Sequence, residues 1–200
     1  MINPNDILSF TRTLGYWGIG LVIFAEMGLF FCFFLPGDSL LFAAGLLCAG
    51  GIFDIYIMLA VVVTCSVAGY VLAYFFGDKL GHWLQSKEDT WYYKRQHLDL
   101  AHQFVEKHGG KAVLLARMVP IVRTFTPIVA GMGEMVYARF LLFTIAGAVL
   151  WAAIFAAGGY FLGQRFPFLI DWLLPVALII VIASILPGIV SVMKRRWLKK

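Results

Sequence analysis

The sequence predicts an all-α integral membrane protein. Its composition, its uncharged apolar runs and the placement of its basic residues carry that reading. Of 200 residues, 62% are hydrophobic and 14% charged, against about 45–50% and 25% in soluble domains. A chain this small has too little interior to hide so much apolar surface, so that surface must face lipid. This excludes a soluble enzyme, a disordered chain and a disulfide-stapled secreted module. The expected architecture is two inverted repeats, each a re-entrant helical hairpin followed by a transmembrane helix. An amphipathic connector and a final C-terminal transmembrane helix complete it. The segments are a first repeat at about 17–77, a connector at 78–111, a second repeat at about 112–164, a last span at 172–193 and a basic tail at 194–200.

Each element follows from a helix needing about 20 mostly apolar residues to cross the hydrocarbon core. Residues 55–77, 140–164 and 172–193 meet that length without a charge. Residues 17–35 are interrupted by Glu26, and Pro36, Gly37 and Asp38 then precede an uncharged run at 39–53. Residues 112–133 are interrupted by Arg117, Pro120, Arg123 and Pro127. No basic segment precedes the first apolar run, so no cleavable signal is expected.

Of the sixteen Lys and Arg residues, Lys79, Lys87, Lys94, Arg95, Lys107 and Lys111 lie in the connector. Lys194, Arg195, Arg196, Lys199 and Lys200 form the tail. The positive-inside rule places both segments in the cytoplasm. Two clean spans separate them, so residues 112–133 must return to the side they enter. By the same parity residues 17–53 form a hairpin entering from outside, and the N-terminus is external. Within the connector Leu98, Ala101, Phe104 and Val105 recur at helical spacing opposite Asp99, Glu106 and Lys107. That pattern reads as an amphipathic helix on the inner membrane face, with Trp83, Trp91, Tyr92 and Tyr93 in the headgroup belt.

The repeat is visible in the residues themselves. Tyr74, Phe75, Gly77 and Lys79 match Tyr160, Phe161, Gly163 and Arg165 at a spacing of 86, which also carries Ala44-Gly45 onto Ala130-Gly131. Inverted repeats with broken helices are a transporter architecture.

Glu26, Asp38, Arg117 and Arg123 are charges in apolar surroundings, each costing roughly 2.5–3.5 kcal/mol at a helix centre. They sum to zero, so mutual pairing competes with a substrate or proton path. The hairpin breaks are read as Pro36, Gly37, Pro120 and Pro127, with Pro127 ending the segment after Pro120. Broken backbone at membrane depth must be buried in protein or line a watery cavity. A guanidinium fork matches phosphate. Arg117 and Arg123, with hydroxyls from Thr124 and Thr126, are therefore read as a phosphate-headgroup site. Glu26 and Asp38 are read as proton-coupling or gating groups, because desolvation opposes a carboxylate's charged form. Glu134 is expected at the solvated exit of the second hairpin.

The three cysteines, Cys32, Cys48 and Cys65, lie in apolar runs with no CxxC spacing and are expected to be packing residues. His82, His97, His102 and His108 lack ligand spacing, so neither a metal nor a cofactor is expected. With no GxSxG, Walker or HExxH motif, no enzymatic activity is expected.

Three stretches together resemble the DedA family. The first is Glu26 with Phe34-Leu35-Pro36-Gly37-Asp38-Ser39-Leu40-Leu41 and Ala44-Gly45. The second is Gly69-Tyr70 with Tyr74, Gly77 and Gly81. The third is Phe104, His108-Gly109 and Ala116-Arg117-Met118-Val119-Pro120 with Arg123, Pro127 and Ala130-Gly131. The resemblance runs from about Glu26 to Gly163. The family's arginine motif usually reads Ala-Arg-Phe-x-Pro, and Met118 replaces the aromatic here. The resemblance implies a multi-pass bacterial inner-membrane protein with two opposed re-entrant hairpins; the cytoplasmic C-terminus follows from the basic tail. It also implies similarity to eukaryotic endoplasmic-reticulum lipid scramblases with the same domain. Members are implicated in returning undecaprenyl phosphate, the cell-wall lipid carrier, across the membrane. The family's required acidic and arginine residues map onto Glu26, Asp38, Arg117 and Arg123.

The leading expectation is a translocase flipping undecaprenyl phosphate from the outer to the inner leaflet, coupled to protons. The alternatives are a proton-coupled small-solute transporter or efflux protein, a phospholipid (phosphatidylethanolamine) scramblase, or an assembly factor whose charges only hold the fold. The expected partners are lipid phosphate or phospholipid, the bilayer and protons. Nucleic acid is not expected, and a homo-oligomer is compatible with the sequence.

Overall fold

A computed structural model describes residues 4–29, 36–85 and 95–168. The expected last span at 172–193, the tail, Cys32, the motif residues Phe34 and Leu35, and Trp91, Tyr92 and Tyr93 lie outside them. Among the described residues the chain is six α-helices with no strand: α1 (Pro4–Gly28), α2 (Gly37–Ala49), α3 (Ile55–Gln85), α4 (Arg95–Ala116), α5 (Pro120–Met132) and α6 (Tyr137–Arg165).

The helices run further than the apolar runs that announce them. α1 begins at Pro4, where a missing N–H costs nothing at the first helical position, rather than near Trp17. α3 continues past Gly77 to Gln85. Asp78 and Lys79 end the apolar run but not the helix, since charged side chains at a helix end reach outward to water. Asp54 starts α3, its Oδ1 accepting the Tyr56 and Ile57 amides at 2.8 and 3.0 Å.

α4 covers the amphipathic stretch and continues into the apolar one. Glu106 and Lys107 are exposed and Val105 half-buried. At Gly109 the backbone leaves the helix (φ 54, ψ −146), a left-handed value that glycine adopts freely. The break falls where the polar stretch becomes apolar. Residues 117–119 form a turn, with Val119 extended, and Pro120 opens α5. α4 and α5 pack against each other.

Pro127 does not end α5, contrary to the sequence reading; it lies inside a helix that continues to Met132. The expected loss is a helical N–H to the carbonyl of Arg123. The Tyr70 hydroxyl donates to that carbonyl instead, at 2.8 Å.

Among the described residues two helices are long and apolar enough to cross a membrane, over Ile55–Trp83 and Tyr137–Arg165. Their large apolar side chains are widely exposed, among them Phe75, Phe76, Leu142, Val149 and Phe161. A soluble surface does not carry such continuous apolar area.

The chain forms two compact units. Of the described residues, the first comprises 4–19, 36–59 and 153–168; the second comprises 20–29, 60–85 and 95–152. In the first unit Gly45 of α2 and Gly159 and Gly163 of α6 bring those helices to backbone contact. A Cβ on Gly45 would strike the Ala156 carbonyl, and one on Gly159 the Phe42 carbonyl. In the second unit Gly131 of α5 and Gly77 and Gly81 of α3 do the same against the Tyr74 and Ile128 carbonyls and Met132. Small residues four apart on a helix allow such close approach in membranes.

Candidate functional site

The buried charges meet in the second unit. α1 delivers Glu26 there through a close crossing with α3. A Cβ on Gly69 would lie 2.8 Å from the Phe24 carbonyl oxygen and 3.0 Å from the Gly28 amide nitrogen. α5 delivers Arg123 in its first turn, and the turn before it delivers Arg117. All three side chains are sealed, at 1%, 4% and 1% exposure for Glu26, Arg123 and Arg117.

The two arginines have different partners. Arg123 donates from Nη2 to Glu26 Oε1, forming a buried ion pair. Arg117 has no carboxylate partner among the described residues. Its Nη2 donates to Ser66 Oγ, and its Nη1 makes a long bond of 3.5 Å to the Thr144 carbonyl. Its guanidinium lies 4.4 Å from the Tyr70 ring centroid and 5.7 Å from that of Trp151. The Arg123 guanidinium lies 5.6 Å from the same Trp151 centroid. An aromatic face attracts a cation but cannot cancel its charge. Arg117 Nε and Thr144 Oγ1 are both buried without a hydrogen-bond partner among the described residues. An unmade buried bond costs about 1–3 kcal/mol.

Electrostatically the site is one balanced pair beside one unbalanced cation. α5 adds to the positive side, because its N-terminus has no side-chain cap and an open helix N-terminus favours anions.

Residues 35–161 match the VTT domain. The chain is 42% identical over 178 residues to Protein DedA of Escherichia coli K12, covering 88% of this chain and 81% of that relative. The chain belongs to the DedA family of VTT-domain membrane proteins. It is also 42% identical over 176 residues to an uncharacterized membrane protein of Mycobacterium tuberculosis H37Rv, covering 87% of this chain and 77% of the other. With inner membrane protein YqjA of E. coli K12 it shares 31% over 193 residues, 92% of this chain and 85% of the other. No solved structure matches.

The sequence-expected residues of this DedA-family chain divide. Glu26, Arg117 and Arg123 come together; Thr124 is buried beside Arg123 on α5. Thr126 donates to the Val122 carbonyl at 2.7 Å, so its proton is spent on its own helix. Asp38 stands in the first turn of α2, in the other unit. Glu134 is exposed. Ser66, Tyr70, Thr144 and Trp151 line the site without having been singled out for it. Their signal was spacing. Ser66 and Tyr70 are one turn apart on α3, Thr144 and Trp151 two turns apart on α6, so each pair makes a polar stripe on an apolar span.

Proposed function

We propose that this DedA-family protein is a lipid-phosphate translocase that carries undecaprenyl phosphate from the outer to the inner leaflet, with no covalent chemistry. The observation that carries this reading is Arg117. It is a sealed guanidinium with no acid partner among the described residues, an idle Nε, and a neighbouring hydroxyl that also lacks a hydrogen-bond partner. Such a charge calls for an anion, and a phosphate offers the acceptors that a guanidinium fork fits. Arg117 is the primary phosphate ligand. Arg123 and Thr124 border it, and Glu26 sets how much of Arg123's charge is available. Protonating Glu26 would release Arg123 to the phosphate; Asp38 serves as the second proton-coupling acid.

The reading includes two re-entrant hairpins of inverted orientation. α2 and α5 each have 13 residues, or about 20 Å at 1.5 Å per residue. That is short of a hydrocarbon core of about 30 Å. The glycine seats also correspond: Gly45 and Gly131 are 86 apart, whereas Gly77–Gly159 and Gly81–Gly163 are 82 apart, one helical turn less.

Native mass spectrometry of the purified chain tests the ligand. An undecaprenyl phosphate adduct, lost in Arg117→Ala while phosphatidylethanolamine adducts persist, is the expected result. An adduct unaffected by Arg117→Ala refutes the site. Cysteine labelling tests the hairpins: positions 54 and 165 should report outside, and 94 and 199 inside. Labelling of 94 and 199 from opposite faces would sink the hairpin topology.

A further inference from the structure

Proline inside a membrane helix leaves one carbonyl without its helical donor, and that loss has to be met by a neighbouring group. In α5 the proline is Pro127 and the carbonyl is that of Arg123. The group that meets it is the Tyr70 hydroxyl of α3, buried at 2.8 Å. The ring of the same tyrosine lies under the Arg117 guanidinium, 4.4 Å away. It stacks in turn with Phe140, the ring centroids 6.4 Å apart. One side chain thus grips both arginines by different chemistry: the backbone of one through a hydrogen bond, the cation of the other through a ring face.

We infer that Tyr70 is the positioning residue of the arginine pair. Its hydroxyl replaces the donor that Pro127 removes from α5, and its ring sets where Arg117 presents its donors. The binding consequence rests on the lipid-phosphate reading; the hydrogen-bond substitution does not.

The inference gives a rescue that only this arrangement predicts. Tyr70→Phe keeps the ring and removes the donor. Pro127→Ala returns a backbone N–H to the Arg123 carbonyl. Tyr70→Phe should weaken binding of farnesyl phosphate to the detergent-solubilised chain about tenfold, the loss of one buried hydrogen bond. Tyr70→Phe/Pro127→Ala should return it to within about twofold of the parent, on the same affinity scale. Tyr70→Leu/Pro127→Ala satisfies the carbonyl but lacks the ring, and should stay weak. Hydrogen exchange gives the ligand-independent arm. The α5 amides should exchange faster in Tyr70→Phe and slow again in the Tyr70→Phe/Pro127→Ala double.

A double no better than Tyr70→Phe, in folding as well as in exchange, overturns the hydroxyl role. A Tyr70→Leu/Pro127→Ala chain that binds like the parent overturns the ring role. If the parent itself binds no farnesyl phosphate, the lipid-phosphate reading fails and the exchange arm alone decides for or against Tyr70.

Discussion

α2 and α5 are built alike and charged differently. Each is a 13-residue helix seated on a long helix through one glycine of its own and two, four apart, on its partner. In the first unit α2 meets α6; in the second α5 meets α3. Beyond Asp38 in its first turn, α2 has no charged residue. α5 carries Arg123 in its first turn, then Thr124, Thr126 and a proline. The comparison separates two jobs. Glycines decide where a short helix sits, because backbone contact depends on a missing Cβ. The first turn decides what the seat presents. In the second unit α5 and the turn before it bring a sealed ion pair and a neighbouring cation without a carboxylate partner among the described residues into one place.

The largest expected effect tests that asymmetry. Arg123→Ala leaves Glu26 as a buried charge without its partner, which should cost about 3–5 kcal/mol of stability. The charge-balanced double Glu26→Gln/Arg123→Gln should recover most of it. Arg117→Ala orphans no acid; it strands only the Ser66 hydroxyl and the Thr144 carbonyl and should cost less, about 1–3 kcal/mol. On the α2 side, Asp38→Asn removes a favourable charge at a helix N-terminus, worth about 0.3–1 kcal/mol. Thermal unfolding in detergent ranks the four. If Asp38→Asn is as damaging as Arg123→Ala, α2 also anchors a buried pair and the asymmetry is gone.

The next effect tests the likeness. Gly45→Ala and Gly131→Ala each drive a methyl into a backbone carbonyl of the partner helix, which must move away. Overpacking of this kind costs about 1–3 kcal/mol. The two variants should match within about 0.5 kcal/mol, the scatter of independent sites. A large difference between them would mean that the seats are not equivalent.

What the sequence disclosed depended on how local the physics was. Pro120 was legible as a helix break because its consequences fall on its own turn. Pro127 was misread as an end because its compensation comes from Tyr70, 53 residues from the Arg123 carbonyl it bonds. The cost of four charges in apolar surroundings was legible, but not their pairing: Glu26 and Arg123 are 97 residues apart. The two described spans were legible from apolar length. Their ends were not, since the apolar run stops at Gly77 while the helix continues to Gln85. The phosphate-site reading named both arginines alike, and their difference appears only once Glu26 lies against one and a tyrosine face against the other.

The smallest expected effect concerns Gly147 of α6, and it isolates Arg117 from the fold. A Cβ there would lie 3.2 Å from Arg117 Cδ and 3.7 Å from the Leu114 Cα. The first contact is with the aliphatic stem of the arginine, which can yield. Gly147→Ala also gains helix propensity, up to about 1 kcal/mol in a helix interior, offsetting the crowding. Net stability should therefore stay within about 0.5 kcal/mol of the parent, the ordinary range for a substitution without a buried defect. The displaced stem carries the guanidinium with it, so farnesyl phosphate affinity should fall about threefold, half of a tenfold step on a logarithmic scale. Gly18→Ala in α1 is the control, since a Cβ there meets nothing within 4 Å. It should gain propensity alone and bind like the parent. If Gly147→Ala also binds like the parent, the Arg117 fork does not hold the phosphate, and the contrast between α2 and α5 would then concern stability rather than ligand binding.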